Sequence, residues 1–341
     1  MSLRELSTRF EPVVWGLPLV LAVAGMMALV AWLAPPPPPP ALRVAVGPWI
    51  GYEPLVLASE TNDLPESVRL VESVSNTEST QLLREGMVDL AGFTLDEAIR
   101  LASDGVDLRI LAVLSDSRGA DALVARPGIE SLAQLRGQRV LLEDTAVGQL
   151  ILDRALAEGG LSQLDIRKSQ VQASYLARRW REGDAAAAVV YEPFLSELEA
   201  EGAVPLFSTA SHPGLVLDVL VARTDVLESR RDDVVALLKA WDRSVAAFRK
   251  PDALPLALLT ADGRVDDDGY RHALSGIAFF DLGESRRFFA GSPSPMQSSI
   301  DALAAILREG PLGADLRVPP AIVDARFVEA ALSGATAGEA P

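Results

Sequence analysis

Apolar and polar positions along the chain fall into three regimes. Val13 to Ala34, VVWGLPLVLAVAGMMALVAWLA, carries no charge and is long enough to cross a hydrocarbon core of about 30 Å as a helix. From Leu42 onward, short aliphatic runs alternate with stretches of helical spacing. LRVAVG (42–47), VRLVESV (68–74), VDLAGF (88–93) and LRILAVL (108–114) predict strands. Between them EPLVLASETN, TESTQLLREG and LDEAIRLASDG predict helices, the last two closing at Gly86 and Gly105 as helix C-caps do. This βαβ order predicts a mostly parallel sheet. A second, smaller series starts near Ile129: strands RVLLED, IRKSQVQ, AAAAVVYEP and VPLFST, with helices AVGQLILDRALAEGG, YLARRWREGD and FLSELEAEGA between them. After about Thr224 the pattern is almost entirely helical, opening with an amphipathic run at 225–250 that must pack back on the first unit.

One internal echo joins the two series: DALVAR begins at Asp121 and DVLVAR at Asp218, one before the second unit and one after it. Two similar extended segments flanking an insertion read as a two-strand hinge. The expected organisation is therefore a cytoplasmic segment (1–12), a transmembrane anchor (13–34), a proline-rich linker (35–41), a discontinuous lobe one (42–123 and 219–335), lobe two (124–218) and a flexible tail (336–341). Trp15 and Trp32 sit near the ends of the apolar run as interfacial anchors do, and Trp32 with Pro35 argues against a cleavage site at Ala34. Arg4 and Arg9 precede the run, and the first basic residue after it is Arg43, which puts the N-terminus inside. The chain is thus expected to be a single-pass protein of the inner membrane, held in the lipid bilayer by residues 13–34. Its globular part then faces the periplasm or cell exterior, spaced off the bilayer by six prolines as a stiff polyproline II segment.

Composition narrows the chemistry. A formal charge of −16, spread along 341 residues, argues against nucleic acid as a partner. There is no Cys, so disulfides, thiolate metal sites and Cys nucleophiles are excluded. His212 and His272 are the only histidines and are not at metal-ligand spacing, so neither a metal nor another cofactor is expected.

In open α/β sheets ligands sit beyond the carboxyl ends of strands. There the chain offers Trp49 and Tyr52 in GPWIGYEP, Ser75, Asn76 and Thr77 in SNTEST, and Phe93 and Thr94. In the second unit it offers Thr145 and Ala146 after Asp144, and Tyr191 and Glu192, with Asp121 and Asp218 at the hinges. Ser75, Thr77 and Thr145 read equally as N-caps, Glu192 as a solvated strand end, and the Asp pair as hinge residues or ion-pair partners. Trp49, a large aromatic between Gly47 and Gly51, is ill placed for a core. Helix N-termini near Thr77 and Thr145 suit an anion, whereas Asp121, Glu192 and Asp218 suit an amine or ring nitrogen. Together they fit a zwitterion or an aminated heterocycle.

In order along the chain, GPWIGYEP, EGMVD at 85–89, GAD at 119–121, IESLAQLRGQRV at 129–140, EGDAAAAVVYEP at 182–193 and DVLVAR at 218 resemble a known family. They are similar to the solute-binding components of ABC importers for nitrate, taurine, alkanesulfonates and the thiamine pyrimidine precursor. The resemblance runs over about 42–335, including DARFVEAAL near the end. It implies a two-lobed α/β type II periplasmic-binding fold, lobe two inserted in lobe one, with a ligand between the lobes on the residues matching Trp49, Tyr52, Thr94, Thr145, Glu192 and Asp218. It also implies the permease subunits of an ABC importer as partner. A membrane sensor protein is the alternative partner, because a retained anchor departs from the family pattern. An enzymatic branch of this fold relies on Cys and His residues missing here, so the chain is expected not to be an enzyme. The rival is a cleft enzyme using Glu192 and an Asp as acid and base.

Overall fold

The computed structural model describes residues 20–27, 39–250, 266–309, 313 and 315–334. Residues 20–27 are helical and exposed; the rest of the predicted span at 13–34, segment 1–12 and tail 336–341 lie outside the described residues. Among the described residues no helix is long and apolar enough to cross a membrane. Residues Ala41–Pro341 form one compact unit.

That unit is built on two sheets. The first contains β1 (Leu42–Val46), β2 (Val68–Glu72), β3 (Leu90–Thr94) and β4 (Leu108–Ser117); the second contains β5 (Asp121–Ala125), β6 (Arg139–Leu142), β7 (Arg167–Gln170), β8 (Ala187–Tyr191) and β9 (Val204–Ser208). The chain then returns to the first sheet with β10 (Leu217–Arg223) and β11 (Ile277–Phe279), giving strand orders β11-β4-β10-β3-β1-β2 and β7-β6-β8-β5-β9. Both sheets are mixed, not mostly parallel. β10 runs antiparallel between β3 and β4, β5 runs antiparallel to β8 and β9, and β11 is an antiparallel edge strand within the tail that periodicity reads as helical. Strand direction follows from which side of a sheet the returning chain enters, and aliphatic alternation is blind to that.

The central strands are apolar on both sides because helices cover both faces, whereas the edge strands β2 and β7 carry exposed polar residues. In β1, Leu42, Val44 and Val46 face one core and Ala45 the other, leaving only Arg43 partly exposed. The tail helix Arg231–Phe248 lays Leu237, Leu238 and Trp241 into the same core as Leu42 and Val44. Three helices begin where parallel strands end: α1 (Glu53–Glu60) after β1, α2 (Asn76–Arg84) after β2 and α3 (Leu95–Ser103) after β3; in the second lobe α4 (Ala146–Glu158) follows β6. Their starts are local chemistry. The Ser75 hydroxyl accepts the Glu78 N–H at 3.1 Å, the Thr145 hydroxyl that of Gly148 at 3.0 Å, and the Thr94 N–H donates to Glu97 at 3.1 Å.

The chain crosses between the sheets twice, at 118–120 and 209–216. The echoing segments DALVAR and DVLVAR are β5 and β10, so Asp121 and Asp218 stand where each crossing lands. Thr209, fully buried, ties the crossings together: its hydroxyl accepts the Gly119 N–H at 3.0 Å and lies 2.8 Å from the Ser117 hydroxyl. Gly119 has φ +131, a conformation that a side chain disfavours. Thr209→Val keeps the shape but strands these donors in a dry site. Its expected cost is about 1–3 kcal/mol in urea unfolding, and a loss below ~0.3 kcal/mol would show that the clasp contributes nothing.

Candidate functional site

At the carboxyl ends of the first-sheet strands lies a carboxylate with no exposed surface. Asp218, the second residue of β10, lies opposite Thr94, the last residue of β3. Three donors converge on it: Trp49 Nε1 at 2.9 Å and Ser115 Oγ at 2.5 Å on one oxygen, and Tyr52 Oη at 3.3 Å on the other. Glycines make this convergence possible. A Cβ on Gly51 would lie 2.1 Å from Trp49 Nε1, one on Gly92 would lie 2.7 Å from the Tyr52 ring, and one on Gly47 would lie 2.1 Å from Asn76 Oδ1.

The second lobe repeats the device. Asp121 opens β5 opposite Tyr191, the last residue of β8. The Tyr191 hydroxyl donates to Glu143 at 3.1 Å, and its ring meets Trp49 edge-on at 5.9 Å, so an aromatic contact spans the lobes. Between the lobes runs a narrow cleft of about 10 Å³, room for about one water, walled by Trp49, Asn76, Thr94, Asp121, Tyr191 and Asp218, with Val147 and Val216 beside them. Two of its buried acceptors, Asp121 Oδ2 and Asn76 Oδ1, have no hydrogen-bond partner.

The cleft is acidic. Burial pushes the Asp218 carboxyl up to about 7 against the pull of Ser115, Trp49 and Tyr52. Burial also raises Asp121 to about 7, opposed by the Ser117 hydroxyl and reinforced by Asp218. Glu97 rises to about 8 through burial and its neighbour Asp96, and burial raises Glu143 as well. Among the described residues neither Asp121 nor Asp218 forms an ion pair, nor do three His, Cys, Asp or Glu side chains gather as a metal site. A group with donors and positive charge is what these walls lack.

A family model for the NMT1-like family matches residues 35–257, well over half the chain. The chain belongs to the NMT1-like family. The taurine-binding periplasmic protein of Escherichia coli (strain K12) is 25% identical over 181 residues, which are 52% of this chain and 57% of that protein, so the chain spans just over half of that relative. Among solved structures, the alkanesulfonate-binding protein SsuA from Xanthomonas axonopodis pv. citri bound to MOPS superposes with a TM-score of 0.70. It is 17% identical, with 85% of this chain and 99% of that one covered. The desulfurization enzyme DSZB superposes with a TM-score of 0.63 at 16% identity, covering 87% of this chain and 99% of that one. The fold is therefore the two-lobed periplasmic-binding fold, and it is shared by binding proteins and an enzyme.

In this NMT1-like chain the residues singled out from sequence divide into four groups. Trp49, Asn76, Thr94, Asp121, Tyr191 and Asp218 line the cleft; Thr77, Thr145 and Ala146 line a wider groove. Tyr52 and Ser75 stand behind the wall, the first holding Asp218 and the second capping α2. Phe93 and Glu192 are elsewhere. Phe93 is fully buried in the core, since side chains alternate along β3 and Thr94 takes the outward place. Glu192 accepts from the N–H and hydroxyl of Ser196, at 3.1 and 3.0 Å, away from the cleft wall. Ser115, Glu97, Glu143, Val147 and Val216 were not anticipated. Of these only Glu97 carried a local signal, three residues after Thr94 at capping-box spacing.

The raised carboxyls bind protons in the folded protein that the unfolded chain, titrating near 4, has already released. Ligand-free stability should therefore fall as pH rises from 5 to 8, by at most about 1.4 kcal/mol per unit for each group. Asp107, Asp165, Asp225 and Asp324 are shifted downward and act below this window. Urea melts across that range check it: a flat profile, or one no shallower in Asp218→Asn, contradicts the assignment. Gly51→Ala should displace the Trp49 indole and alter tryptophan fluorescence while leaving the circular dichroism spectrum in place; unchanged fluorescence would show that Trp49 is not held by this contact.

Proposed function

We propose that this chain is the solute-binding component of an ABC importer, tethered to the membrane through residues 13–34, whose lobes close on a small amine-bearing molecule. The observation that carries the reading is the pairing of Asp121 and Asp218, buried carboxylates from opposite lobes, beside Trp49 and Tyr191 in one cleft without a basic side chain. A cation there would replace the missing counter-charge, satisfy the open Asp121 oxygen and stack against aromatic faces. Because each lobe supplies one carboxylate, such a ligand holds both and stabilises the closed arrangement. Membership of the NMT1-like family, and similarity to proteins named for binding taurine and alkanesulfonates, support a solute of this size class. A plain alkanesulfonate, all anion, fits the acidic cleft poorly.

No bond is made or broken in this cycle; uptake into vesicles bearing the cognate permease distinguishes delivery from signalling. The direct test is calorimetry of the full chain against amines, zwitterions, aminopyrimidines, nitrate and alkanesulfonates. Amine-bearing compounds should bind more tightly at pH 8 than at pH 6, because a cation prefers Asp121 and Asp218 ionised. Asp218→Ala and Trp49→Ala should each weaken binding by about 10–100-fold. Equal affinity in both variants, or turnover of the bound compound, would overturn the reading.

A further inference from the structure

The cleft has room for about one water, so any larger solute needs one of its walls to give way. Two aromatic rings face each other across it, and they are held differently. Trp49 is pinned: it is 7% exposed, its Nε1 donates to the buried Asp218 at 2.9 Å, and its indole fills the space over Gly51. Tyr191 is half-buried at the end of β8. Its ring meets Trp49 at 5.9 Å and Phe194 at 5.4 Å, both edge-on, and its hydroxyl makes one hydrogen bond among the described residues, to Glu143 at 3.1 Å.

A second space of about 10 Å³ lies in the second lobe, reaching Glu143, Thr145, Gly148 and Leu176. Asp121, Val147 and Tyr191 line both spaces and so stand between them. Asp121 and Val147 are short side chains fixed on β5 and α4. The Tyr191 ring is the part of this partition whose rotation clears the most room. Turning it would join the two spaces and extend the cleft to the start of α4.

The ring is set by a carboxylate whose own backbone is fixed. Glu143 follows β6, and its carbonyl accepts the Thr145 N–H at 2.9 Å. A Cβ on Gly148 would lie 2.7 Å from that same oxygen, so the first turn of α4 packs tightly against Glu143. Burial pushes the Glu143 carboxyl up, and the Tyr191 hydroxyl, then the Ala173 N–H, draw it back.

We infer that Tyr191 is the size-determining wall of the site and Glu143 its positioning residue. While the hydroxyl rests on Glu143 the cleft admits a bare cationic headgroup; a bulkier one enters as that hydrogen bond breaks and the ring turns toward the second space. This rests on the solute-binding reading above and adds to it selection by the size of the group beside Asp121.

Two measurements on the full chain test it, in wild type, Tyr191→Phe, Glu143→Leu and Glu143→Gln. Leu removes the acceptor at similar size, whereas Gln keeps one. Acrylamide quenching needs no solute, and the difference from a matching Trp49→Phe background isolates the Trp49 emission. Quenching should rise in Tyr191→Phe and Glu143→Leu and stay at the wild-type value in Glu143→Gln. Calorimetry with methylamine and benzylamine reads the ratio of their affinities. That ratio should move toward benzylamine by at least about 10-fold in Tyr191→Phe and Glu143→Leu, and return to the wild-type value in Glu143→Gln. Melting temperatures identify a variant that fails to fold; Tyr191→Phe, which deletes only a hydroxyl, then decides. An unmoved ratio, equal weakening of both amines, unaltered quenching, or a Glu143→Gln variant that behaves as Glu143→Leu overturns the inference and leaves the solute-binding reading standing. Wild type that binds neither amine overturns both.

Discussion

The carboxylate of Asp218 is the constraint on which the rest of the site depends. It is fully buried and, among the described residues, pairs with no basic side chain, so it persists only because Trp49 and Tyr52 from one loop and Ser115 from β4 point donors at it. Those donors fix the indole that forms one wall of the cleft. The glycines at 51 and 92 follow from the same requirement, since each leaves the space that Trp49 or Tyr52 must occupy. A short glycine- and aromatic-rich loop is thus set by a residue 169 positions away.

The second lobe answers with the same construction. β5 and β10 each run antiparallel to both neighbours, and each carries an aspartate within its first two residues, set against the last residue of a neighbouring strand. Two crossings carry the chain between the lobes, tied to each other through the hydroxyl of Thr209, and both aspartates sit at the landing points. Motion of one lobe against the other therefore changes the distance between the two carboxylates directly.

The charge pattern separates this NMT1-like chain from what the names of its relatives by themselves indicate. Its cleft is acidic, walled by Asp121 and Asp218 without a basic side chain. A fold shared by sulfonate-binding proteins and a desulfurization enzyme says little about the ligand. The placement of ionisable groups in a dry cleft says more, because an unpaired buried charge is costly and a partner that removes this cost is selected strongly.

The sequence by itself determined the order of elements, because hydrophobic period and helix starts are local properties: Ser75 and Thr145 cap the helices they precede, and the strands through β10 lie where the aliphatic runs lie. It also brought six of the cleft residues into view, because ligand-facing positions at strand ends are exposed by topology whatever the detail. The tertiary structure alone decided the direction of β5 and β10, the existence of β11, the burial of Phe93 and the tie between Glu192 and Ser196. It alone decided that Asp121 and Asp218 share a cleft. Those outcomes depend on strand order and lobe contact, which are long-range, and no local pattern of polar and apolar residues encodes which distant carboxylate will find which donor.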